Sequence, residues 1–143
     1  MIEIRRSALV KYSPAQMFDL VNEVEAYPKR FPWCVGAEIV ERQPDALVAR
    51  LDLKFAGFRQ SFTTRNVVEP PRRLQMNLVD GPFRRLEGVW DFIALGDTGC
   101  KIVFALDFEY AGRLGGSALK LGFQGLASRM VDDFCREAAR VYG

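Results

Sequence analysis

Residues 47–55 read LVARLDLKF, and the side chains at odd positions of this stretch are all apolar. Polar residues stand between them at positions 50, 52 and 54, a period-two pattern typical of a strand with one buried face. The same period runs from Val35 to Tyr110. Turn residues divide it at Gly57, Pro70-Pro71, Asp80-Gly81-Pro82 and Gly96 to Gly99. The sequence therefore predicts six consecutive strands, among them 59–69, 84–95 and 99–110.

The segment before this region predicts a strand and two short helical pieces. Residues 2–10 alternate loosely and are rich in β-formers. Ser13-Pro14 is an N-cap followed by proline at the first helical position, which indicates the start of a short amphipathic helix. Tyr27-Pro28 and Phe31-Pro32 interrupt that helix, because each proline disfavours the helical conformation of the residue before it. Residues 27–34 are thus a second helical turn or a structured loop.

The C-terminal segment has a different period. Apolar residues recur every three or four positions from Leu119 to Val141, which predicts a long amphipathic helix over about 114–141. Antiparallel strands with one apolar face must cover that face, and this helix is long enough to do so. We expect one α+β domain over residues 1–143, with a curved antiparallel sheet wrapped around the helix and a cavity between them.

Composition excludes several classes of function. The chain has 143 residues with 20 basic and 18 acidic ones, a balance that argues against a DNA-binding protein. It contains no histidine, which excludes Ser-His and Cys-His nucleophile pairs and the usual catalytic zinc sites. Its three cysteines have no zinc spacing and suit a reducing compartment. We expect a cytoplasmic, non-catalytic protein without a metal, and peripheral contact with the inner membrane stays open.

The pocket prediction follows from the inward-facing strand positions and the apolar helix face. Gly122 and Gly125 lie within the helix, where glycine removes side-chain volume that a ligand could occupy. The alternative for each residue is ordinary core packing. The predicted ligand-binding residues are Trp33, Phe55, Phe62, Met76, Leu78, Trp90, Phe104, Phe108, Leu119, Gly122, Phe123, Leu126 and Met130.

A partner or membrane surface is predicted on two basic, aromatic segments. One is the loop with Lys29 and Arg30; the other is the turn with Phe83, Arg84 and Arg85. Such residues can contact anionic lipid headgroups or RNA phosphates. The alternatives are a hydrophobic lid for the first segment and a solvated hairpin tip for the second. Acidic residues on the strands alternate away from the pocket, so we expect them to pair with Arg50, Arg59 or Arg65.

Three blocks, residues 27–37, 78–90 and 129–143, carry a resemblance that covers nearly the whole chain. On them the sequence resembles the coenzyme Q-binding and ribosome-association toxin branch of the START-like superfamily, which is also labelled polyketide cyclase/dehydrase. The resemblance implies a helix-grip fold with the order β-α-α-β6-α. That order agrees with the one predicted from the residues.

The resemblance also implies two functions. Eukaryotic members of this branch are described as binding coenzyme Q and supporting respiration, and a bacterial member as associating with the large ribosomal subunit and blocking subunit joining. We predict non-catalytic binding of a lipid-like ligand, ubiquinone or another isoprenoid quinone, with no resident cofactor. The alternative is a ribosome-associating toxin that inhibits translation initiation. A polyketide cyclase-like enzyme is the least favoured interpretation.

A quinone fits the predicted pocket in physical terms. Its isoprenoid tail buries many methylene equivalents, each worth about 0.8 kcal/mol. Its head group needs only one or two polar contacts. The candidates for those contacts are Asn66, Asn77, Tyr110 and Gln124.

Overall fold

The computed structural model describes residues 1–111 and 116–143. The predicted order of one strand, a helical pair, six strands and a long helix is confirmed. In chain order the elements are β1 (Ile2–Val10), α1 (Pro14–Asn22), a 3-10 turn (Val24–Ala26), α2 (Tyr27–Arg30), β2 (Cys34–Gln43), β3 (Ala46–Phe55), β4 (Phe58–Glu69), β5 (Arg73–Asp80), β6 (Phe83–Leu95), β7 (Gly99–Tyr110) and α3 (Gly116–Tyr142).

Helix α1 begins at the predicted N-cap, Ser13. The Ser13 hydroxyl accepts a hydrogen bond from the Gln16 backbone N–H at 3.1 Å, and the Gln16 side chain accepts one from the Ser13 N–H at 2.9 Å. This reciprocal capping box satisfies two backbone donors that the helix leaves without partners.

The expected effect of proline on its predecessor is wrong at Tyr27. This residue is helical, with φ −54° and ψ −43°, although Pro28 follows it. Pro28 lies in the first turn of α2, where a missing N–H costs little. The buried Tyr27 hydroxyl donates to the Val21 carbonyl, which holds the residue in place. Phe31, which precedes Pro32, is extended as expected.

The seven strands form one antiparallel sheet in the order β1-β7-β6-β5-β4-β3-β2. Each strand from β2 to β7 pairs with its neighbour in the chain. Strand β1 instead pairs with β7, with Ile2 opposite Phe108 and Val10 opposite Cys100. The β3–β4 hairpin turns on Ala56 and Gly57, whose φ angles of 49° and 80° give the two positive values that a type I′ turn needs.

Helix α3 covers the apolar face of the curved sheet. Its predicted span of 114–141 is observed as Gly116–Tyr142, and residues 114 and 115 lie outside the described part of the chain. The Phe123 ring lies 4.9 Å from that of Phe108 in β7 and 5.9 Å from that of Phe55 in β3, measured between centroids. The helix therefore contacts distant parts of the sheet. None of the described helices is long and apolar enough to cross a membrane.

Candidate functional site: an apolar cavity under the long helix

A cavity of about 60 Å³ lies between the sheet and α3. Its walls come from the inward positions of the strands, the underside of α3, and Val21 and Val24 at the α1 end. A space of this volume can enclose only a few non-hydrogen atoms of a ligand, in mostly apolar surroundings. Seven residues predicted to bind ligand line it: Phe62, Met76, Trp90, Phe104, Phe123, Leu126 and Met130.

Six other predicted residues do not line the cavity, which corrects that part of the prediction. The Trp33 ring stacks on that of Phe31 with centroids 4.8 Å apart, and its indole N–H donates to Asp133 at 3.0 Å. Strand parity predicts the face on which a residue lies but not its position along the strand, which accounts for Phe55, Leu78 and Phe108. The six are Trp33, Phe55, Leu78, Phe108, Leu119 and Gly122.

The glycines of α3 have a different role from the predicted one. A Cβ on Gly122 would lie 2.9 Å from the Cβ of Ala56 and 3.0 Å from a ring carbon of Phe55. Gly122 thus permits close approach of α3 to the β3–β4 turn and does not enlarge the cavity. A Cβ on Gly125 would meet only the Arg129 guanidinium, at 3.3 Å.

Two polar side chains, Thr64 and Asn66 of β4, lie in the cavity wall. Both are buried, and the Thr64 hydroxyl donates to the Asn66 side-chain oxygen at 2.8 Å. The Asn66 amide nitrogen has no acceptor among the described residues, which leaves its two N–H groups available to a ligand. Asn66 was a predicted head-group contact. The other three candidates, Asn77, Tyr110 and Gln124, lie outside the cavity wall.

The aromatic end of the cavity was not predicted from the sequence. Tyr27 and Phe134 line it, with ring centroids 5.6 Å apart, and Phe31 packs on Phe134 at 4.8 Å. The apolar spacing between Leu119 and Val141 includes Phe134 and predicts that it faces the sheet. Nothing in the sequence indicated that the Tyr27 segment folds back against it, because that contact joins residues far apart in the chain.

The one titratable group in the described cavity wall and the three cysteine thiols are neutral at neutral pH. Of the described residues that line the cavity, only Tyr27 can ionise, and burial raises the pKa of its hydroxyl far above the ordinary value. Burial also raises the pKa of the thiols of Cys34, Cys100 and Cys135, which keeps them protonated at neutral pH and weakly nucleophilic. The described cavity wall therefore presents hydrogen-bonding groups and no charge.

The strand carboxylates lie on the solvent side of the sheet, as predicted, but most of their partners differ from those expected. Asp52 pairs with Arg50 at 3.1 Å, whereas Asp91 pairs with Arg73 at 3.4 Å and Asp107 with Arg5 at 2.8 Å. The cross-strand register brings Arg73 to Asp91 and Arg5 to Asp107 on the outer face, whereas Arg50 and Asp52 are two residues apart on β3. Exposed pairs of this kind contribute little to stability, at most about 1 kcal/mol each.

Lys29, Arg84 and Arg85 are exposed, as a partner surface requires. The prediction that Phe83 belongs to this surface is wrong. Phe83 is buried, and its ring lies 5.1 Å from that of Phe123 and 4.7 Å from that of Tyr110. A register shift between Phe83 and Arg85 breaks the strand alternation and turns the ring inward.

Arg30 is largely buried. It joins Glu23 at 3.0 Å and Glu137 at 3.3 Å, so it connects α2 to α3.

Comparison with known proteins gives the chain close relatives over its full length. It is 44% identical over 140 residues to the ribosome association toxin RatA of Pseudomonas aeruginosa, covering 98% of this chain and 97% of that protein. It is 28% identical over 147 residues to the mitochondrial coenzyme Q-binding protein COQ10 homolog B of Xenopus laevis, covering 99% of this chain and 60% of that protein.

Solved structures share the fold. The Zhui aromatase/cyclase from Streptomyces sp. R1128 superposes with a TM-score of 0.86 at 20% identity, covering 99% of this chain and 96% of that one. A START superfamily protein from Mycobacterium smegmatis gives a TM-score of 0.80 at 21% identity, covering 97% and 98%. The family model described as polyketide cyclase/dehydrase and lipid transport matches residues 10–135. With a cavity enclosed between curved sheet and long helix, the chain belongs to this family.

Proposed function

We propose that this protein associates with the ribosome and regulates translation. The similarity to proteins named ribosome association toxin carries the proposal, because it reaches 44% identity and spans nearly all of both chains. The match to a coenzyme Q-binding protein is weaker, at 28% identity over 60% of that protein. The alternative from the sequence analysis therefore has more support than the quinone prediction.

The size of the cavity points the same way. Pockets for small-molecule ligands usually enclose about 300–1,000 Å³. The cavity here measures about 60 Å³, too little for a quinone ring and an isoprenoid tail unless side chains move. A role that uses the exterior of the molecule needs no such rearrangement. Quinone binding stays a prediction.

Co-sedimentation with ribosomes tests the proposal. Purified protein is expected to pellet with bacterial ribosomes at about 50 mM salt and to be released progressively towards 200 mM, because contacts to RNA phosphates weaken as salt rises. The pelleted fraction is measured with and without ribosomes. Circular dichroism checks that the protein is folded. If folded protein pellets equally with and without ribosomes at low salt, the proposal is contradicted.

A second function, binding of a small apolar ligand with a carbonyl group, is favoured by Thr64 and Asn66. They place a hydrogen-bond donor in an otherwise apolar wall. An oxygen of a ligand would accept a hydrogen bond from the Asn66 amide. A quinone head group offers such an oxygen, and the ring would need the cavity to expand around the flexible side chains of Met76 and Met130.

The double variant Thr64→Val, Asn66→Leu tests this second function. Both replacements keep the branching of the side chain and its number of heavy atoms, and replacing both partners of a hydrogen bond by apolar groups of the same shape changes stability little. Wild type is expected to retain lipid on organic extraction and mass spectrometry, and the variant to lose most of it. A short-chain ubiquinone added at about 100 times its Kd would stabilise wild type by about 2.7 kcal/mol. Lipid-free wild type with no shift in Tm on that addition would count against the idea.

Neither function requires catalysis, and we propose that the protein is not an enzyme. The chain has no histidine, and the described cavity wall has no carboxylate or low-pKa thiol that could serve as a general acid, base or nucleophile. The structural likeness to an aromatase/cyclase at 20% identity concerns the fold alone.

A further inference from the structure

A second concave site lies on the outside of the molecule. It is an open groove of about 840 Å³ between α3 and the segments that carry Trp33 and the β3–β4 turn. Leu126 lines both this groove and the cavity. Of the residues predicted for a partner surface, Arg30 alone lines this groove.

The groove concentrates positive charge. Five of the chain's 20 basic residues line it, but only two of its 18 acidic ones. The chain outside the groove therefore has slightly more acidic than basic residues. The five basic residues are Arg30, Lys54, Arg129, Arg136 and Arg140.

The two acidic residues are occupied by internal contacts. Asp133 accepts hydrogen bonds from the Trp33 indole and from Arg136. Glu137 is buried and accepts from Arg30 at 3.3 Å and from Arg140 at 3.1 Å. Their charges hold the walls of the groove together and are offset by neighbouring guanidinium groups.

Lys54 and Arg129 remain unpaired. Both are exposed, and within residues 1–111 and 116–143 neither forms an ion pair or a side-chain hydrogen bond. They line the same groove from β3 and α3. Two uncompensated cations in one concavity attract an anion that can span the groove.

The floor of the groove is open and weakly polar. Gly125 leaves the surface of α3 without a side chain there, and Leu121, one turn earlier on the helix, is 64% exposed. A polymer backbone can therefore approach the helix closely. An anionic membrane is a poorer match, because it requires basic and apolar residues that project from a convex surface, and this site is concave.

We propose that this groove binds the sugar–phosphate backbone of RNA, with Lys54 and Arg129 contacting phosphates and Arg136 and Arg140 on the flank. The inference rests on the proposed ribosome association and names the surface that carries it. It moves the predicted contact from Arg84 and Arg85 to the groove.

Two binding assays separate this inference from the proposed function. One is co-sedimentation with ribosomes; the other is fluorescence anisotropy with a labelled, short single-stranded RNA. The double variant Lys54→Gln, Arg129→Gln is expected to lose about tenfold in affinity near 150 mM salt. The slope of log K against log salt should shrink by about 1.4, which corresponds to two phosphate contacts on single-stranded RNA. Arg84→Gln, Arg85→Gln removes the same charge elsewhere and should change affinity less than twofold.

A third variant changes shape without changing charge. Gly125→Leu introduces a side chain whose Cβ would meet only the flexible end of Arg129, and leucine suits a helix better than glycine. It should leave the fold intact, checked by circular dichroism and Tm, and lower RNA affinity several-fold by filling the groove.

The outcomes distinguish the two hypotheses. Ribosome binding that is unchanged in the groove variants, or that falls equally with Arg84→Gln, Arg85→Gln, overturns the groove assignment and leaves ribosome association standing. Groove-dependent RNA binding without ribosome pelleting supports the groove and overturns the proposed function. Wild type that binds vesicles of anionic phospholipid but not RNA overturns the groove assignment in favour of a membrane surface.

Discussion

Replacing Phe134 by alanine is expected to lower the free energy of unfolding by about 3–5 kcal/mol. Phe134 is completely buried and packs against Tyr27, Phe31 and Trp90, with ring centroids 4.8–5.6 Å apart. It also lines the cavity, so the space left by the ring would join an existing void that the surrounding residues have not closed. The loss should therefore lie at the upper end of the range, with a fall in Tm of roughly 10–20 °C.

Urea denaturation followed by fluorescence measures this loss, and Leu121→Ala is the matched control. Leu121 is on the same helix but 64% exposed, so its replacement should change stability by less than about 0.5 kcal/mol. Benzene is expected to restore part of the stability of Phe134→Ala, since an enlarged apolar cavity can take up a small aromatic molecule. A loss of less than about 1.5 kcal/mol would mean that α3 and the sheet close over the gap.

Replacing Glu137 by alanine is expected to cost about 2–3 kcal/mol. Its carboxylate is buried and joins Arg30 of α2 to Arg140 of α3. Removing one partner of a buried pair leaves the other charge without compensation, at a typical cost of about 3–5 kcal/mol. The expected value is smaller here because Arg30 keeps its contact with Glu23. Chemical denaturation of Glu137→Ala and of Glu23→Ala, whose carboxylate is half-exposed, provides the comparison. Equal small losses would show that the buried position of Glu137 does not matter.

The same carboxylate makes stability depend on pH. The hydrogen bond from Arg140 lowers the pKa of Glu137 below its ordinary value of 4.5, and the charges of Arg140 and Arg30 act in the same direction. The unfolded chain therefore takes up this proton at a higher pH than the folded chain does. The contribution is fully present above the ordinary pKa and is lost as pH falls through the folded value. Between about pH 6 and pH 3, wild type should lose more stability than Glu137→Gln; parallel curves would contradict this assignment.

The strands and the helix could be predicted closely because their signals are local. The predicted strands 2–10 and 99–110 coincide with Ile2–Val10 and Gly99–Tyr110, since alternation and turn residues mark both ends. Helix α3 was predicted from spacing alone, to within a residue or two of its observed end. Periodicity indicates which face of an element is buried, and it can be read from a short stretch of neighbouring residues.

The site could be predicted only in part, because its geometry depends on contacts between distant segments. Phe104 and Phe108 share one face of β7, yet only Phe104 reaches the cavity, because their heights along the strand differ relative to α3. A glycine at position 122 of a helix suggests a place where a ligand approaches, but in the structure the residue packs against Ala56 of the β3–β4 turn. The groove between α3 and the β3–β4 turn depends on the same long-range packing, and no window of sequence contains it.

The pairing of β1 with β7 has a consequence for the synthesis of this protein. Strand β1 leaves the ribosome about a hundred residues before its partner β7, so the two must close a very long loop. At translation rates of about 5–20 residues per second, β1 waits roughly 5–20 s with its backbone hydrogen-bonding groups unpaired. Leu9, exposed even in the finished fold, adds an apolar side chain to that waiting strand. A nascent chain stalled before residue 99 thus carries a strand whose partner in the sheet has not yet been made.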